Sequence, residues 1–339
     1  MDIYATQVLI RVVQSLITPS NFLLDMFFPS EATSPTEFIS FDVVKSKRRI
    51  APFCSPLVQG KVVDNNGFYT DTFKPAYIKD KRRFDPSANL KRTRGERIGG
   101  DLKPADRSKA NLALAMQDQL DMLTRGLEVM AADALLDGKV LVQGEGFPTT
   151  LVDFQRDPSL SIALTGANRW GQAGVYPTED LEEWILLPLK LSGAVVTKLV
   201  FTPGPWKLFK ADQNIKDAIF FPRAGQTSIE VGPQPKTGGQ YMGNWGNIEL
   251  YLYNDWYIDP VDGIEKPILP DGTVIFGSDQ LEGVQQFGAI QDEELGYPEL
   301  KFAPKSWLEK DPAVRWLLTQ SAPLTVPYRV NAVGCATVF

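Results

Sequence analysis

Between Pro104 and Gly138, apolar residues recur at steps of three and four: Leu112, Met116, Leu120, Leu123, Leu127, Met130 and Ala134. That spacing stacks side chains on one face of an α-helix and predicts a single helix over 104–137. Pro104 suits a first helical turn, where its missing N–H has no partner, and Asp106 sits at the positive end of the dipole. Gly138 is a natural left-handed stop. At 1.5 Å per residue the helix is roughly 50 Å long, about the diameter of a compact globule of this chain length. It therefore predicts a flat or elongated body with the helix as its spine. A second apolar line, Leu114, Met122, Val129 and Leu136, predicts cover on two sides. Gly126, at a cost of about 1 kcal/mol against Ala, is where a shorter surface helix would break.

The pattern elsewhere is more broken. Val8, Leu9, Val12, Val13, Leu16 and Ile17 form one helical face, and Phe22, Leu23, Met26 and Phe27 cluster after a Thr-Pro-Ser-Asn break. An arm this apolar needs cover from its own core or from a neighbouring chain. TEFISFDVV (36–44) alternates as a strand, and LVQGKVV (57–63) resumes it. After the turn signal NNG (65–67), FYTDTFKPAYIKDKRRF reads as extended; DPSAN (85–89) turns, and LKRTRGERIGG returns to complete a two-stranded ribbon. Residues 139–146 and 149–154 read as a strand pair and 155–177 as loop. Residues 178–193 read as a helix capped by Thr178, followed by a strand to 203, then GPWKLFKADQNIKDAIF as one helix. The Gly, Pro and Gln of 222–247 read as loop. A strand follows at 247–259; VDGIEKPILPDGTVIFGS (261–278) reads as turn and strand and LEGVQQFGAIQDEE (281–294) as another strand with a carboxylate-rich end, making about 180–300 a mixed α/β block. The last strands are expected to return to the long helix.

Charge changes the picture in one place. From Lys74 to Arg97 there are nine cations and three carboxylates, net +6; because the whole chain carries −6, the remainder carries −12. A two-stranded ribbon is marginal alone in water, so a long basic one should be ordered by a partner. A solvated hairpin, a nucleic-acid contact through Tyr69, Phe73, Tyr77 and Phe84, and the acidic surface of the next identical subunit are the three readings. The acidic remainder favours the third.

Chemistry is sparse. Histidine is absent, which removes the usual neutral-pH base, the Ser-His-Asp arrangement and the commonest metal ligand. Cys54 and Cys335 show no metal spacing and read as buried small hydrophobes in a reducing cytosol. GPQPKTGG (232–239) lacks phosphate-loop spacing, and Asp255, Asp259, Asp262 and Gly263 miss the alternation of a calcium loop. No cofactor or metal is expected. No secretory or membrane-spanning run is visible.

The order of parts resembles the lambda-type major capsid proteins of tailed phages, the capsid protein E family. The carrying residues are SPLVQG (55–60), FKPAYIKDKRRFDP (73–86), FTPGPWKLF (201–209), LPDGTVIFG (269–277), QQFGAIQDEE (285–294) and WLEKDPAVRWLLTQSAPL (307–324). The resemblance implies an α+β, Hong Kong 97-type capsid fold. It implies an N-terminal arm (1–35), peripheral-domain strands (36–59), an extended E-loop hairpin (60–103) and a peripheral domain (104–179) with spine helix 104–137. An axial domain (180–300) and a return to the peripheral domain (301–339) complete it.

It implies a structural shell protein, not an enzyme, that assembles with itself into pentamers and hexamers of an icosahedral head. Further implied partners are a scaffolding protein, a portal and, in some relatives, a decoration protein. Such a shell encloses DNA without sequence-specific or membrane binding, in the virion after assembly in the host cytoplasm. Carried onto this chain, the E-loop contacts are Phe73, Lys74, Tyr77, Lys81, Arg82, Arg83, Phe84, Lys91, Arg92, Arg94 and Arg97. On this reading, reversing Arg82 and Arg83 to Glu leaves the monomer folded and blocks assembly. The competing readings are a carboxylate-dependent enzyme, which needs a concave polar site, and a nucleic-acid-binding protein using the 74–97 arm, whose affinity would fall steeply with salt.

Overall fold

The structure, a computed structural model, describes residues 4–16, 21–44, 53–57, 59, 68–85, 87, 90–92, 94, 96–98, 102–144, 146–220, 227–229, 238–311 and 314–339. The strand expected over 57–63 and the turn at 65–67 lie for the most part outside these. The chain begins α1 (Thr6–Ser15), α2 (Phe22–Phe27), β1 (Ser30–Thr33), β2 (Ile39–Val44), β3 (Phe68–Phe73), β4 (Ile78–Phe84) and α3 (Pro104–Asp137). It continues through β5 (Lys139–Gly144), β6 (Phe147–Asp153), β7 (Ser161–Ala163), α4 (Pro177–Leu191), β8 (Lys198–Phe201), α5 (Pro203–Ala211) and α6 (Gln213–Phe220). Then come β9 (Thr227–Ile229), β10 (Gly238–Trp245), β11 (Ile248–Asn254), β12 (Trp256–Ile258), β13 (Glu265–Pro267) and β14 (Thr273–Gly277). The last elements are β15 (Gly283–Phe287), β16 (Ala303–Glu309), β17 (Val314–Ser321), β18 (Pro323–Pro327) and β19 (Val333–Thr337).

The spine forms as the periodicity requires. α3 is one unbroken 34-residue helix stopped by Gly138 at φ 66°. Gly126 does not break it; a Cβ there would meet only the Ile78 side chain, at 3.7 Å. Leu112, Met116, Leu120, Leu123 and Leu127 are buried, and Met130 is half-buried against the same core. The second apolar line is covered only in part: Val129 and Leu136 pack on the core, whereas Leu114 and Met122 are exposed. The C-terminal carbonyls of α3 are held by a buried guanidinium, as Arg156 donates to Leu135 O at 2.6 Å and also to Leu136 O.

The main sheet has seven strands in the order β7-β19-β14-β8-β11-β10-β9. Alternate residues of its central strands point to opposite sides. Val200, Tyr253, Ile275, Val333 and Cys335 meet Leu127, Ala131 and Leu135 of α3. Leu199, Phe201, Leu250, Val274, Phe276 and Ala336 meet Leu181 and Trp184 of α4 and Trp206 and Phe209 of α5. On that side Trp170 and Trp184 stack at 5.8 Å with planes 2° apart. A sheet covered on both faces explains why β14 is buried at every residue. It also draws strands from outside 180–300, since β7 and β19 belong to it. The last strands do return to the long helix, β17 and β18 from outside the main sheet and β19 as a strand of it, through Val333 and Cys335.

Other expectations change. Residues 155–177, read as loop, contribute β7, which pairs with β19 at the edge of the main sheet. GPWKLFKADQNIKDAIF is two helices, parted at Asp212. Thr178 lies inside α4 and does not cap it; Asp212 Oδ2 accepts from the Thr178 N–H at 3.0 Å and its hydroxyl at 2.8 Å, and Asp212 Oδ1 accepts from Asn214 N–H. Residues 238–245, read as loop, form β10, antiparallel to β11 with a bulge between Tyr241 and Gly243.

The glycine of β10 has a packing reason. A Cβ on Gly239 would lie 2.0 Å from the Phe22 ring, which stacks on Tyr253 at 5.6 Å. The N-terminal segment is thus covered by the chain's own core, with Leu23, Leu24, Phe27 and Phe28 buried. Gly239→Ala is expected to lift α2 from the sheet at a cost of about 1–3 kcal/mol, measured by urea unfolding; unchanged stability would refute the close approach.

Asp133, on the spine, supplies a pH-linked term. Burial pushes its carboxyl from the ordinary 3.8 up to about 6, with the Asp137 carboxylate adding to the rise. The folded state thus favours the protonated form, a contribution complete below about pH 4 and lost as the pH rises through about 6. Asp133→Asn stays neutral. It is expected to raise the melting temperature at about pH 7.5 by roughly 2–6 °C and to leave it little changed at about pH 4. Equal shifts at both pH values would contradict the assignment.

Candidate assembly surface

The basic stretch does not form a free ribbon among its described residues. β3 pairs antiparallel with β2, and β4 pairs antiparallel with β17, Lys81 opposite Leu318 and Arg83 opposite Trp316. β4 is therefore an edge of the three-stranded sheet β16-β17-β4. That sheet is tied to the spine by Gln119, fully buried, which donates to Asp80 O at 2.9 Å and accepts from the Thr319 hydroxyl at 2.8 Å.

This pairing sorts the expected contact residues into two groups. The first makes contacts within its own subunit, although Lys81 and Arg83 of it also face solvent. Phe73 packs on the main core, and Phe84 joins Leu9, Leu112, Met116 and Leu317. Lys74 pairs with Glu37. The Tyr77 hydroxyl donates to Ala289 O at 3.1 Å and accepts from Gln291 N–H at 2.9 Å. Arg82 turns inward to Asp80 at 2.8 Å and to Asp118 on the spine. Reversing it would attack the monomer, contrary to the expectation from the sequence. Lys81 lies 4.1 Å over the Trp316 ring and 5.2 Å from that of Trp307. Arg83 pairs with Asp85 at 2.8 Å.

The second group faces out. Lys91, Arg92, Arg94 and Arg97 are exposed; Glu96 among them, its side chain 2% exposed, accepts from Arg107 of the spine at 2.9 Å and from Leu102 N–H at 3.0 Å, and its carbonyl accepts from Arg92 at 2.7 Å. The described residues before the spine also carry strongly exposed apolar side chains. Phe53, Leu57 and Ile98 are 102%, 96% and 96% exposed and Leu90 is 73% exposed. Leu90 and Ile98 flank the cations Lys91, Arg92, Arg94 and Arg97 in one short stretch, the pattern of an unfilled contact, and Phe53 and Leu57 are exposed apolar residues earlier in the chain. The sequence places Leu57 in the strand expected over 57–63 and Leu90 and Ile98 in the returning strand of the ribbon, so none stands out as a contact residue.

Several of the carboxylates weighed for enzyme chemistry are engaged structurally. Lys266 bridges Asp259 at 2.6 Å and Asp262 at 2.7 Å, taking the place a cation would hold in that loop. Asp292 pairs with Lys305 at 3.0 Å, and Asp180 accepts from the Trp170 indole N–H at 2.7 Å. No group of three or more Cys, Asp or Glu among the described residues is placed to hold a metal. Cys335 is buried, which pushes its thiol up to about 12, whereas Cys54 is exposed, contrary to expectation. Among the described residues no helix is long and apolar enough to cross a membrane.

Comparison with known proteins decides to which family the chain belongs. The sequence profile of phage major capsid protein E matches residues 5–338. The chain belongs to that family. It is 28% identical over 332 residues to the major capsid protein of Escherichia phage lambda and 27% identical over 332 residues to that of Enterobacteria phage phi80, covering 96% of both chains in each case. Its fold is similar to the crystal structure of a prophage capsid protein of Escherichia coli, with TM-score 0.77 and 22% identity over 98% of this chain and 99% of that one. A phage-related protein of Bordetella bronchiseptica matches at TM-score 0.56 and 12% identity, over 97% of this chain and 95% of the other. The capsid protein E chain described here thus has the Hong Kong 97-type fold, and its role is that of a head-shell subunit of a tailed phage.

Proposed function

We propose that this capsid protein E chain closes an icosahedral head by laying its E-loop, residues 60–103, over the neighbouring subunit within pentamers and hexamers. The observation that supports this reading is the pair of outward apolar residues Leu90 and Ile98 flanking Lys91, Arg92, Arg94 and Arg97 within that loop. Their burial against a neighbour supplies most of the affinity, because exposed ion pairs are worth only about 0–1 kcal/mol each. The 104–179 segment and the 301–339 strands act as the peripheral domain and 180–300 as the axial domain. A scaffolding protein and a portal direct closure in the host cytoplasm, and a decoration protein has the expanded shell as its substrate. DNA is enclosed without sequence-specific contacts, and the acidic remainder of the chain suits a wall that does not grip it.

The test is electron microscopy with sedimentation of the chain produced alone in a bacterial cytoplasm, and again with the scaffold of the same phage. Closed shells, capsomer rings or tubes are expected in at least one condition. A uniform monomer in both would sink the reading.

A further inference from the structure

On the shell reading, we propose that the outer face of the β16-β17-β4 sheet docks on the acidic face of α4 of an adjacent copy of the same chain. β4 presents Lys79, Lys81 and Arg83 at every second residue, all exposed, on the side away from the spine. Strand geometry spaces such side chains by roughly 7 Å. Beside them stand Trp316 and Trp307, both half-buried. The inward side of the same strands carries Arg82, Phe84, Leu317 and Thr319, which belong to the subunit's own core.

α4 carries the complement. Asp180 turns inward to Trp170, but Glu179, Glu182 and Glu183 are exposed, and Leu186 continues their line at 58% exposure. Residues three and four apart on a helix are about 5–6 Å from one another, so Glu179 with Glu182 and Glu183, and Leu186 beyond them, form an acidic and apolar patch opposite in charge to the three cations and two indoles.

The two surfaces do not satisfy each other within a subunit. α4 packs on one face of the seven-stranded sheet, α3 on the other, and β4 lies against α3. No ion pair among the described residues joins β4 to α4. Two unlike complementary patches on one chain make a heterologous contact, which closes into a ring when the rotation permits. Nucleic acid is the weaker occupant: the Lys81 ammonium already lies over both tryptophan rings, so a base would have to displace it to stack.

The experiment is a charge swap. The sheet variant Lys79→Glu/Arg83→Glu leaves Lys81 and the inward Arg82 in place; the helix variant is Glu179→Lys/Glu182→Lys/Glu183→Lys. Each is expected to fold as judged by circular dichroism and melting, and to lower the sedimenting assembled fraction at least tenfold. The chain carrying both sets is expected to regain assembly. Normal assembly by either single set, or a folded combined chain that stays monomeric, overturns the contact. Assemblies that nuclease dissolves, with no rescue by the swap, would reassign the cations to nucleic acid. A wild-type chain that assembles under no condition, with scaffold or without, brings down the shell reading itself and this contact with it.

Discussion

Glu128→Ala is expected to destabilise the subunit by about 3 kcal/mol and to free its N-terminal segment. Glu128 projects from the middle of the spine and is 2% exposed. Its two carboxylate oxygens accept from Leu23 N–H at 2.8 Å and Leu24 N–H at 2.9 Å, the first turn of α2, and Oε1 also accepts from the Tyr253 hydroxyl at 2.9 Å. One side chain therefore pins the N-terminal segment, the spine and the main sheet together. Removing it strands two backbone donors and a hydroxyl in the core, each worth about 1–3 kcal/mol when unsatisfied; loss of a desolvated carboxylate returns part of that. Burial pushes the Glu128 carboxyl up, against the pull of the two N–H groups. Glu128→Gln keeps one accepting oxygen and is expected to cost about half as much. Urea unfolding gives the ranking, and limited proteolysis near residues 17–20 reads release of the segment. An alanine variant within about 0.5 kcal/mol of wild type would remove Glu128 from this role.

What the sequence disclosed follows the range of the interactions that decide each element. The spine was legible end to end because its period, its proline start and its glycine stop are all local. β14 was legible as a strand from its unbroken apolar run, and the sheet covering it on both sides agrees with that run. The pairing of β4 was not legible: Lys81 and Leu318 lie across a register that no local pattern encodes, and a hairpin back along the chain was the nearest local alternative. β10 was hidden by its own composition, since Gly and Gln are poor strand formers; the long-range packing of Phe22 on Gly239 overrides that preference. Thr178 looked like a cap because the residue that binds its N–H, Asp212, stands 34 positions away.

The same distinction governs the contact surface. Charge alone marked 74–97 as unusual, and the structure divides it: cations on β4 lie on a sheet bonded to the spine, whereas Lys91, Arg92, Arg94 and Arg97 face away. The apolar partners were invisible because exposure, not periodicity, is what marks them, and exposure is a property of the folded chain.

Leu90→Ser with Ile98→Ser is expected to abolish shell formation while leaving the subunit folded. Both side chains are nearly bare in the isolated subunit, at 73% and 96% exposure, so polar replacement costs the monomer within about 0.5 kcal/mol. Burying each against a neighbour would be worth about 1.5–3 kcal/mol, so the pair removes roughly 3–6 kcal/mol per contact, a factor of about 100 or more in each association step. Repetition around a closed shell compounds that loss. Reversal of Lys91, Arg94 and Arg97 to Glu tests the other component: it is expected to weaken assembly at low salt and to matter less near 1 M salt, where the screening length falls to about 3 Å. The two variants therefore separate by ionic strength. Assembly of the Leu90/Ile98 variant at the wild-type level in sedimentation would show that the apolar residues contribute no affinity. The E-loop would then have to bind through its charges alone, and wild-type shells would have to dissociate in high salt.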